Sequence, residues 1–116
     1  MKKIVLFASG SGSNAEKIVL HFKEKDGVKV IKIFTNNPSA KVLDRAEILQ
    51  VPTQIFNKQE LHDGLVLEQL NEIQPDLIVL AGFLWKFPEH IIKQYPRKQI
   101  NIHPVLLLNY GGKGMY

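Results

Sequence analysis

Two short, continuously apolar runs constrain the fold of this chain more than any other feature of its sequence. Residues 4–8 read Ile-Val-Leu-Phe-Ala and residues 77–81 read Leu-Ile-Val-Leu-Ala, and a glycine follows each run within two positions. Such runs are too short for typical helices, and an uninterrupted apolar pattern is typical of strands that are covered on both faces. They therefore predict central strands of a parallel sheet.

Weaker strand candidates and segments with helical spacing alternate with these two runs. The further strands are predicted at residues 28–34, 53–56 and 99–102, and helices at about residues 13–22, 42–49, 57–73 and 88–95. Ser13, Ser39 and Asn57 stand where helix-capping residues are expected, and Pro88 is expected to open the last helix. This order predicts a single α/β domain over residues 1–116, with an open, doubly wound parallel β-sheet in three α/β/α layers.

Composition and charge exclude several classes of protein. The 116 residues are 45% hydrophobic and include no cysteine, which excludes disulfides and thiolate metal sites. The net charge of +4 is scattered along the chain, so we expect no nucleic-acid partner. No apolar run reaches the roughly 18 residues of a membrane span, and the first run is shorter than the core of a signal peptide. We therefore expect a cytoplasmic protein that does not bind membranes.

A loop of small polar residues follows the first predicted strand and precedes a predicted helix. It reads Ser-Gly-Ser-Gly-Ser-Asn over residues 9–14, and such a loop at a helix N-terminus can bind a phosphate group. It also fits a loose dinucleotide fingerprint, but the acidic residue which that fingerprint requires is replaced by residues 35–37, Thr-Asn-Asn. The Gly-Lys-Ser/Thr of a nucleotide-binding P-loop is absent too. A phosphate monoester is favoured, and a plain tight turn is the alternative.

Two further motifs follow the later strands. Phe83, Trp85 and Phe87 follow Gly82 and could line a pocket for a flat organic ligand, or could simply close the core. Asn101 and His103 are two residues apart on the last strand and are expected to share one face. An amide beside an imidazole can polarise a carbonyl and move its proton, although a histidine at a strand end can also be structural.

The other histidines are predicted to be solvated on helices. These are His21, His62 and His90, and they form no His-x-His or His-Glu-x-x-His pattern. We therefore expect no metal site.

Taken together, three motifs resemble those of the phosphoribosylglycinamide formyltransferases. They are residues 9–14, residues 80–83 (Leu-Ala-Gly-Phe) and residues 101–104 (Asn-Ile-His-Pro). The resemblance implies a Rossmann-like fold and transfer of a formyl group from 10-formyltetrahydrofolate, a cosubstrate, to the amine of glycinamide ribonucleotide in purine biosynthesis. It implies no permanently bound cofactor, small-molecule partners only, and a monomer or homodimer.

The resemblance also implies roles for individual residues. Gly12, Ser13 and Asn14 would bind the substrate phosphate, and Asn101 and His103 would be catalytic. The folate would contact five residues: Lys58, Leu84, Trp85, Lys86 and Phe87.

The match to this family has departures. Its members are longer, and their third catalytic residue, an aspartate, lies beyond the part that this chain matches. Residues 106–110, Leu-Leu-Leu-Asn-Tyr, stand where the family usually has Leu-Leu-Pro-Lys and an aromatic residue. A catalytically silent domain that binds a phosphorylated ligand is therefore an alternative. So are methionyl-tRNA formyltransferase and formyltetrahydrofolate deformylase, which share an Asn-Ile-His-Pro-like motif.

Overall fold

The computed structural model describes residues 1–102. Within that range strands and helices alternate along the chain. The strands are β1 (Lys2–Phe7), β2 (Val28–Thr35), β3 (Thr53–Ile55), β4 (Leu77–Ala81) and β5 (Gln99–Ile102). The helices are α1 (Ser13–Lys23), α2 (Val42–Leu49), α3 (Lys58–Asp63), α4 (Leu65–Ile73) and α5 (Glu89–Gln94).

The strands form one parallel sheet in the order β3-β2-β1-β4-β5. This order confirms the predicted open, doubly wound sheet, in which the chain winds outward from β1 in both directions. The two continuously apolar runs are β1 and β4, which pair at the centre of the sheet. All five strands point the same way, so their carboxyl ends lie at one edge of the sheet.

The central strands bury both of their faces, as their sequence predicts. Val5 and Phe7 of β1 pack with α3, α4 and α5, and the Phe7 ring stacks on Phe34 with centroids 4.8 Å apart. Ile4 and Leu6 point to the opposite face, where they pack with α1 and α2. The alternation places one helix layer on each side of the sheet.

The predicted third helix is two helices, so that prediction is wrong. Gly64 separates α3 from α4 with a φ of 102°, a backbone conformation that α-helical hydrogen bonding does not allow. Apolar spacing continues through the break because both helices pack on the same core. Periodicity alone therefore did not reveal it.

Of the three predicted helix caps, one is confirmed. Asn57 and Glu60 form a reciprocal capping box, with both hydrogen bonds 2.8 Å long. Ser13 is instead the first residue of α1, and the N-cap position is Gly12. Ser39 lies in a turn before α2, where its backbone N–H donates to Asn37 Oδ1. Both serines lie near the start of a segment whose apolar residues have helical spacing. The turns before α1 and α2 instead place Gly12 and Lys41 at the N-cap positions.

Candidate active site

The small polar loop encloses a cavity at the carboxyl edge of the sheet. Residues 10–14 line it together with Ala81 and Gly82 from the end of β4, and its volume is about 80 Å³. Pockets for drug-sized ligands begin at about 300 Å³, so this cavity suits a small group rather than a whole nucleotide. The cavity lies at the start of α1, whose first backbone N–H groups and partial positive charge favour an anion.

Gly12 is required by the geometry of this loop. Its φ is 77°, and a Cβ at this position would lie 2.4 Å from Val42 Cγ2. The backbone therefore needs a glycine both for its left-handed conformation and for its close approach to α2. This tight packing fixes the path by which the chain enters α1.

Asn14 leaves a hydrogen-bond donor unsatisfied beside the cavity. Its side chain is half-buried, and Nδ2 is shielded from solvent without an acceptor among the described residues. A shielded donor without a partner costs about 1–3 kcal/mol.

Arg45 of α2 holds the loop from outside, a contact that the sequence did not suggest. Its Nε donates to the backbone oxygen of Ser11 at 2.7 Å, and its guanidinium forms an ion pair with Glu16 of α1. The backbone N–H of Val42 also donates to the oxygen of Gly10 at 3.2 Å. The loop is therefore bound to α2, and the ion pair joins α2 to α1.

The aromatic loop after β4 is attached to the polar loop by a buried hydroxyl. Ser9 is 5% exposed, and its Oγ accepts a hydrogen bond from the backbone N–H of Leu84 at 2.9 Å. Phe87 is buried, and its ring lies 4.9 Å from that of Phe7 in an edge arrangement. The two interpretations of this loop are thus both realised, because Phe87 belongs to the core and also lines the cavities beside the loop.

The larger cavity beside this loop has a volume of about 620 Å³. Its lining joins Lys58 and His62 of α3 to residues 84–90. The Lys58 Nζ lies 5.6 Å from the centroid of the Trp85 ring, within the range of a cation–π contact. The structure therefore brings together all five residues that were predicted to contact folate, although α3 and the loop are distant in sequence.

Asn101 lies on β5 beside the same loop. It is exposed, and it lines an adjoining cavity of about 370 Å³ with Trp85, Lys86 and Phe87. Its register partner on β4 is Leu80, so the two side chains lie on the same face of the sheet as α3, α4 and α5. His103 lies outside the described residues. Its position beside Asn101 stays a prediction.

The arrangement at this edge combines two chemical environments. A small polar cavity with backbone donors lies next to wider cavities that have aromatic walls and the cations Lys58 and Lys86. Within residues 1–102, no three histidine, aspartate or glutamate side chains are grouped to hold a metal ion. The described helices also include none that is long and apolar enough to cross a membrane. Such an edge can bind a phosphorylated substrate beside a flat organic one.

Comparison with known proteins identifies the family. The model of the formyl transferase family matches residues 2–116. The chain belongs to the formyl transferase family. The assignment confirms the family that the three sequence motifs predicted.

This formyl transferase chain is similar to several curated proteins. The phosphoribosylglycinamide formyltransferase of Bacillus subtilis (strain 168) is 36% identical over 118 residues, which cover 97% of this chain and 60% of the relative. The chloroplastic phosphoribosylglycinamide formyltransferase of Arabidopsis thaliana is 35% identical, covering 99% of this chain and 42% of the relative. The chain thus spans 60% or less of the length of these two relatives.

Solved structures share the fold of this formyl transferase chain. Glycinamide ribonucleotide transformylase 1 from Geobacillus kaustophilus superposes with a TM-score of 0.82 at 34% identity, covering 98% of this chain and 64% of the other. Phosphoribosylglycinamide formyltransferase from Brucella melitensis superposes with a TM-score of 0.83 at 30% identity, covering 97% and 62%. These matches confirm the predicted Rossmann-like formyltransferase fold.

The site of this formyl transferase chain includes residues that sequence reasoning missed. His90 was predicted to be solvated, but it is half-buried, and its Nε2 is shielded without a partner among residues 1–102. It lines the larger cavity, as does the exposed His62. Ser9 and Arg45 fasten the two loops. The sequence carries no local signal for these contacts, because each partner lies on a different element.

Proposed function

We propose that this chain performs its part of a phosphoribosylglycinamide formyltransferase reaction, as the names of its relatives indicate. A formyl group would pass from 10-formyltetrahydrofolate to the amine of glycinamide ribonucleotide in purine biosynthesis. The observation that carries the proposal is the edge of the sheet, where the polar cavity, the aromatic cavities and Asn101 lie together.

The two substrates would occupy the two environments described above. Gly12, Ser13 and Asn14 would bind the phosphate of the ribonucleotide, and their position in the cavity wall at the start of α1 supports this assignment. The folate would lie against the aromatic loop, with Lys58 near its anionic end. The loop residues in this role are Leu84, Trp85, Lys86 and Phe87.

The reaction would be a direct transfer without a covalent enzyme intermediate. The substrate amine attacks the formyl carbon, and the new carbon–nitrogen bond creates a tetrahedral oxyanion. Asn101 and protonated His103 stabilise that oxyanion by donating hydrogen bonds. The bond from the carbon to the folate nitrogen then breaks, and His103 helps move the amine proton to the departing nitrogen.

Replacement of the two proposed catalytic residues tests this mechanism. Removing one oxyanion donor costs about 2.7–4 kcal/mol, so Asn101→Ala and His103→Ala should each lower turnover by about 100-fold or more. Formyl transfer to glycinamide ribonucleotide is measured for each variant, with Gln94→Ala, at an exposed position of α5, as the control. Near-normal turnover in either variant would contradict the assignment.

A silent phosphate-binding domain is the second candidate. It is favoured by the polar cavity, whose lining lies entirely within the described residues 1–102. Calorimetry with glycinamide ribonucleotide, run beside the transfer assay, separates the two. Binding without transfer supports the silent domain, and transfer supports the enzyme.

We also propose a cytoplasmic location, small-molecule partners only, and a monomeric or homodimeric state. The burial of residues 4–8 at the centre of the sheet supports the location, because this apolar run is used as core. Sedimentation of the purified chain measures the assembly state directly.

A further inference from the structure

A second groove lies at the opposite edge of the sheet from the candidate active site. Its walls are the end of α1, the first half of β2, and the segment that joins α2 to β3. We call it the β2 groove. Its volume is about 220 Å³, and its lining includes Phe22, Val30, Val51 and Pro52.

The β2 groove is open because β3 is short. β3 pairs with β2 only from Ile33 to Thr35, so residues 28–32 at the start of β2 have no β3 partner. Among the described strands, none pairs with residues 28–32 on this side of β2. The sheet therefore leaves an apolar recess with unpaired strand edge, which a ligand can fill.

The charges at the β2 groove have one sign. Lys23 and Lys29 line it, and both side chains are exposed. In residues 1–102, neither ammonium lies within 4.0 Å of a carboxylate oxygen, because the ion pairs there join Arg45 to Glu16 and Lys93 to Glu89. The groove thus combines an apolar floor with two cations that have no protein partner in the described chain.

We propose that the β2 groove binds a small amphipathic carboxylate, such as an arylalkanoate. The aryl or alkyl part would lie on Phe22, Val30 and Val51, where it is removed from water, and the carboxylate would lie between Lys23 and Lys29. The volume sets the size, because pockets for drug-sized ligands begin at about 300 Å³ and this groove is smaller. The ligand is therefore a single ring or a short chain. This site is separate from the proposed formyl transfer.

Binding is tested with phenylbutyrate as the probe and the full chain as the target. Two-dimensional amide NMR spectra should show shifts concentrated at Val30, Ile31 and Val51 as the probe is added. The neutral phenylbutyramide has the same apolar part without the charge, and it should bind at least about threefold more weakly. The difference in affinity between phenylbutyrate and phenylbutyramide should shrink as the salt concentration is raised, because salt screens the charges of the two exposed lysines.

Charge variants test the assigned head-group contacts. Replacing both Lys23 and Lys29 by Gln should weaken phenylbutyrate binding about tenfold, from about threefold for each lysine. The matched control replaces Lys17 and Lys41 by Gln, since both are exposed, lie outside the groove, and give the same net charge. The control variant should bind as the original chain does.

Four results would overturn the proposal. The first is an absence of binding at millimolar probe, and the second is equal affinity for the neutral amide. The third is a set of shifts centred on Trp85, which would place the probe in the cavity at the other edge. The fourth is groove shifts that grow with protein concentration in the absence of probe, which would assign the groove to a second copy of the chain. None of these results depends on folate or glycinamide ribonucleotide, so they do not bear on formyl transfer.

Discussion

Gly12 and Gly10 are two positions apart in the same loop, but the space around them differs, and only Gly12 has no room for a side chain. At Gly12 a Cβ would lie 2.4 Å from Val42 Cγ2, and the backbone has a φ of 77°. At Gly10 a Cβ would have no heavy atom within 4 Å. The sequence motif treats the two glycines alike, and only the packing of α2 against the loop distinguishes them.

We therefore expect Gly12→Ala to destabilise the fold much more than Gly10→Ala. A left-handed backbone costs an alanine about 1–2 kcal/mol, and forced overpacking adds about 1–3 kcal/mol. Gly12→Ala should lower the free energy of unfolding by at least about 2 kcal/mol, and Gly10→Ala by less than about 1 kcal/mol. Urea denaturation followed by circular dichroism measures both. Equal losses would show that the contact with Val42 relaxes at little cost.

Trp85 is the one tryptophan of the chain, and Lys58 lies over its ring. We expect a folate bound at the aromatic loop to change Trp85 fluorescence, so titration gives an affinity without a catalytic assay. Lys58→Met keeps most of the side-chain length but removes the charge, and it should weaken folate binding about fivefold. Lys58→Arg should retain most of the affinity, and Lys25→Met, at an exposed position, serves as the control. Unchanged affinity in Lys58→Met would remove Lys58 from the folate site.

The limits of sequence reasoning at the residue scale are visible in His90 and Arg45. Both lie on amphipathic helices among polar residues, so their patterns indicate solvated side chains. His90 has a shielded Nε2, and Arg45 reaches the oxygen of Ser11 across 34 positions of sequence. Glycine, proline and capping signals are local, whereas these contacts depend on how the helices are placed.

At the scale of elements, Asp76 fastens the beginning of β4 to β1. Its Oδ2 accepts from the backbone N–H of Lys3 at 2.8 Å, and its own N–H donates to the oxygen of Lys3 at 2.8 Å. The hydrogen bond from Lys3 lowers the pKa of the Asp76 carboxyl, opposed by desolvation and aided by the charges of Lys2, Lys98 and Lys3. The carboxylate thus stabilises the junction of the two central strands.

The lowered pKa of Asp76 predicts a dependence of stability on pH. Because the pKa is lower in the folded chain, the stabilisation is fully present above the ordinary value of 3.8 and is lost as pH falls through the folded value. Asp76→Asn should therefore have a lower free energy of unfolding than the original chain at about pH 6. The difference in unfolding free energy, called the gap below, should narrow below about pH 3.8. Urea midpoints across this range measure the gap. Asp26→Asn, at an exposed turn position, controls for the loss of one negative charge, and a gap independent of pH would contradict the argument.

The strands and helices were predicted well because their signals are repeated over many residues. Burial on both faces gives β1 and β4 an uninterrupted apolar pattern, and the capping box marks the start of α3. The break at Gly64 was missed because it is a single residue within a continuous apolar stripe. Caps at Ser13 and Ser39 were wrong because turn geometry, which decides the register of a cap, is not contained in the residue type.

At the scale of the whole molecule, β5 forms an edge of the sheet within residues 1–102. It pairs there with β4 alone, and Ile100 is 47% exposed. Edge strands with exposed apolar residues favour association between copies. We expect the mass measured by light scattering to rise with concentration, and Ile100→Lys to reduce that rise. Ile48→Lys, at an 80% exposed position of α2, is the control. A constant monomeric mass of the original chain would contradict the expectation.

Sequence predicts the site only as far as it predicts the topology of the whole sheet, because the site residues come from distant parts of the chain. Motifs after β1 and β4 and at the end of β5 were expected to meet because parallel strands share a carboxyl edge. Within the described residues, the loops after β1 and β4 line one cavity, and Asn101 of β5 lines another with the loop after β4. The contribution of α3 to the larger cavity could be expected only from the family resemblance, since Lys58 has no motif of its own. His103 lies outside the described residues, so its part in the site stays a prediction.

The central position of β1 has a consequence for how the chain is made. One neighbour, β2, follows within about thirty residues, but the contact between Lys3 and Asp76 spans 73 positions. At about 5–20 residues per second, a ribosome needs roughly 4–15 s to cover that distance. Between the synthesis of β2 and that of β4, β1 has a strand partner on one side only, so its other apolar edge is unpaired. The speed of translation through α3 and α4 therefore affects how long β1 stays unpaired on the side that β4 later occupies.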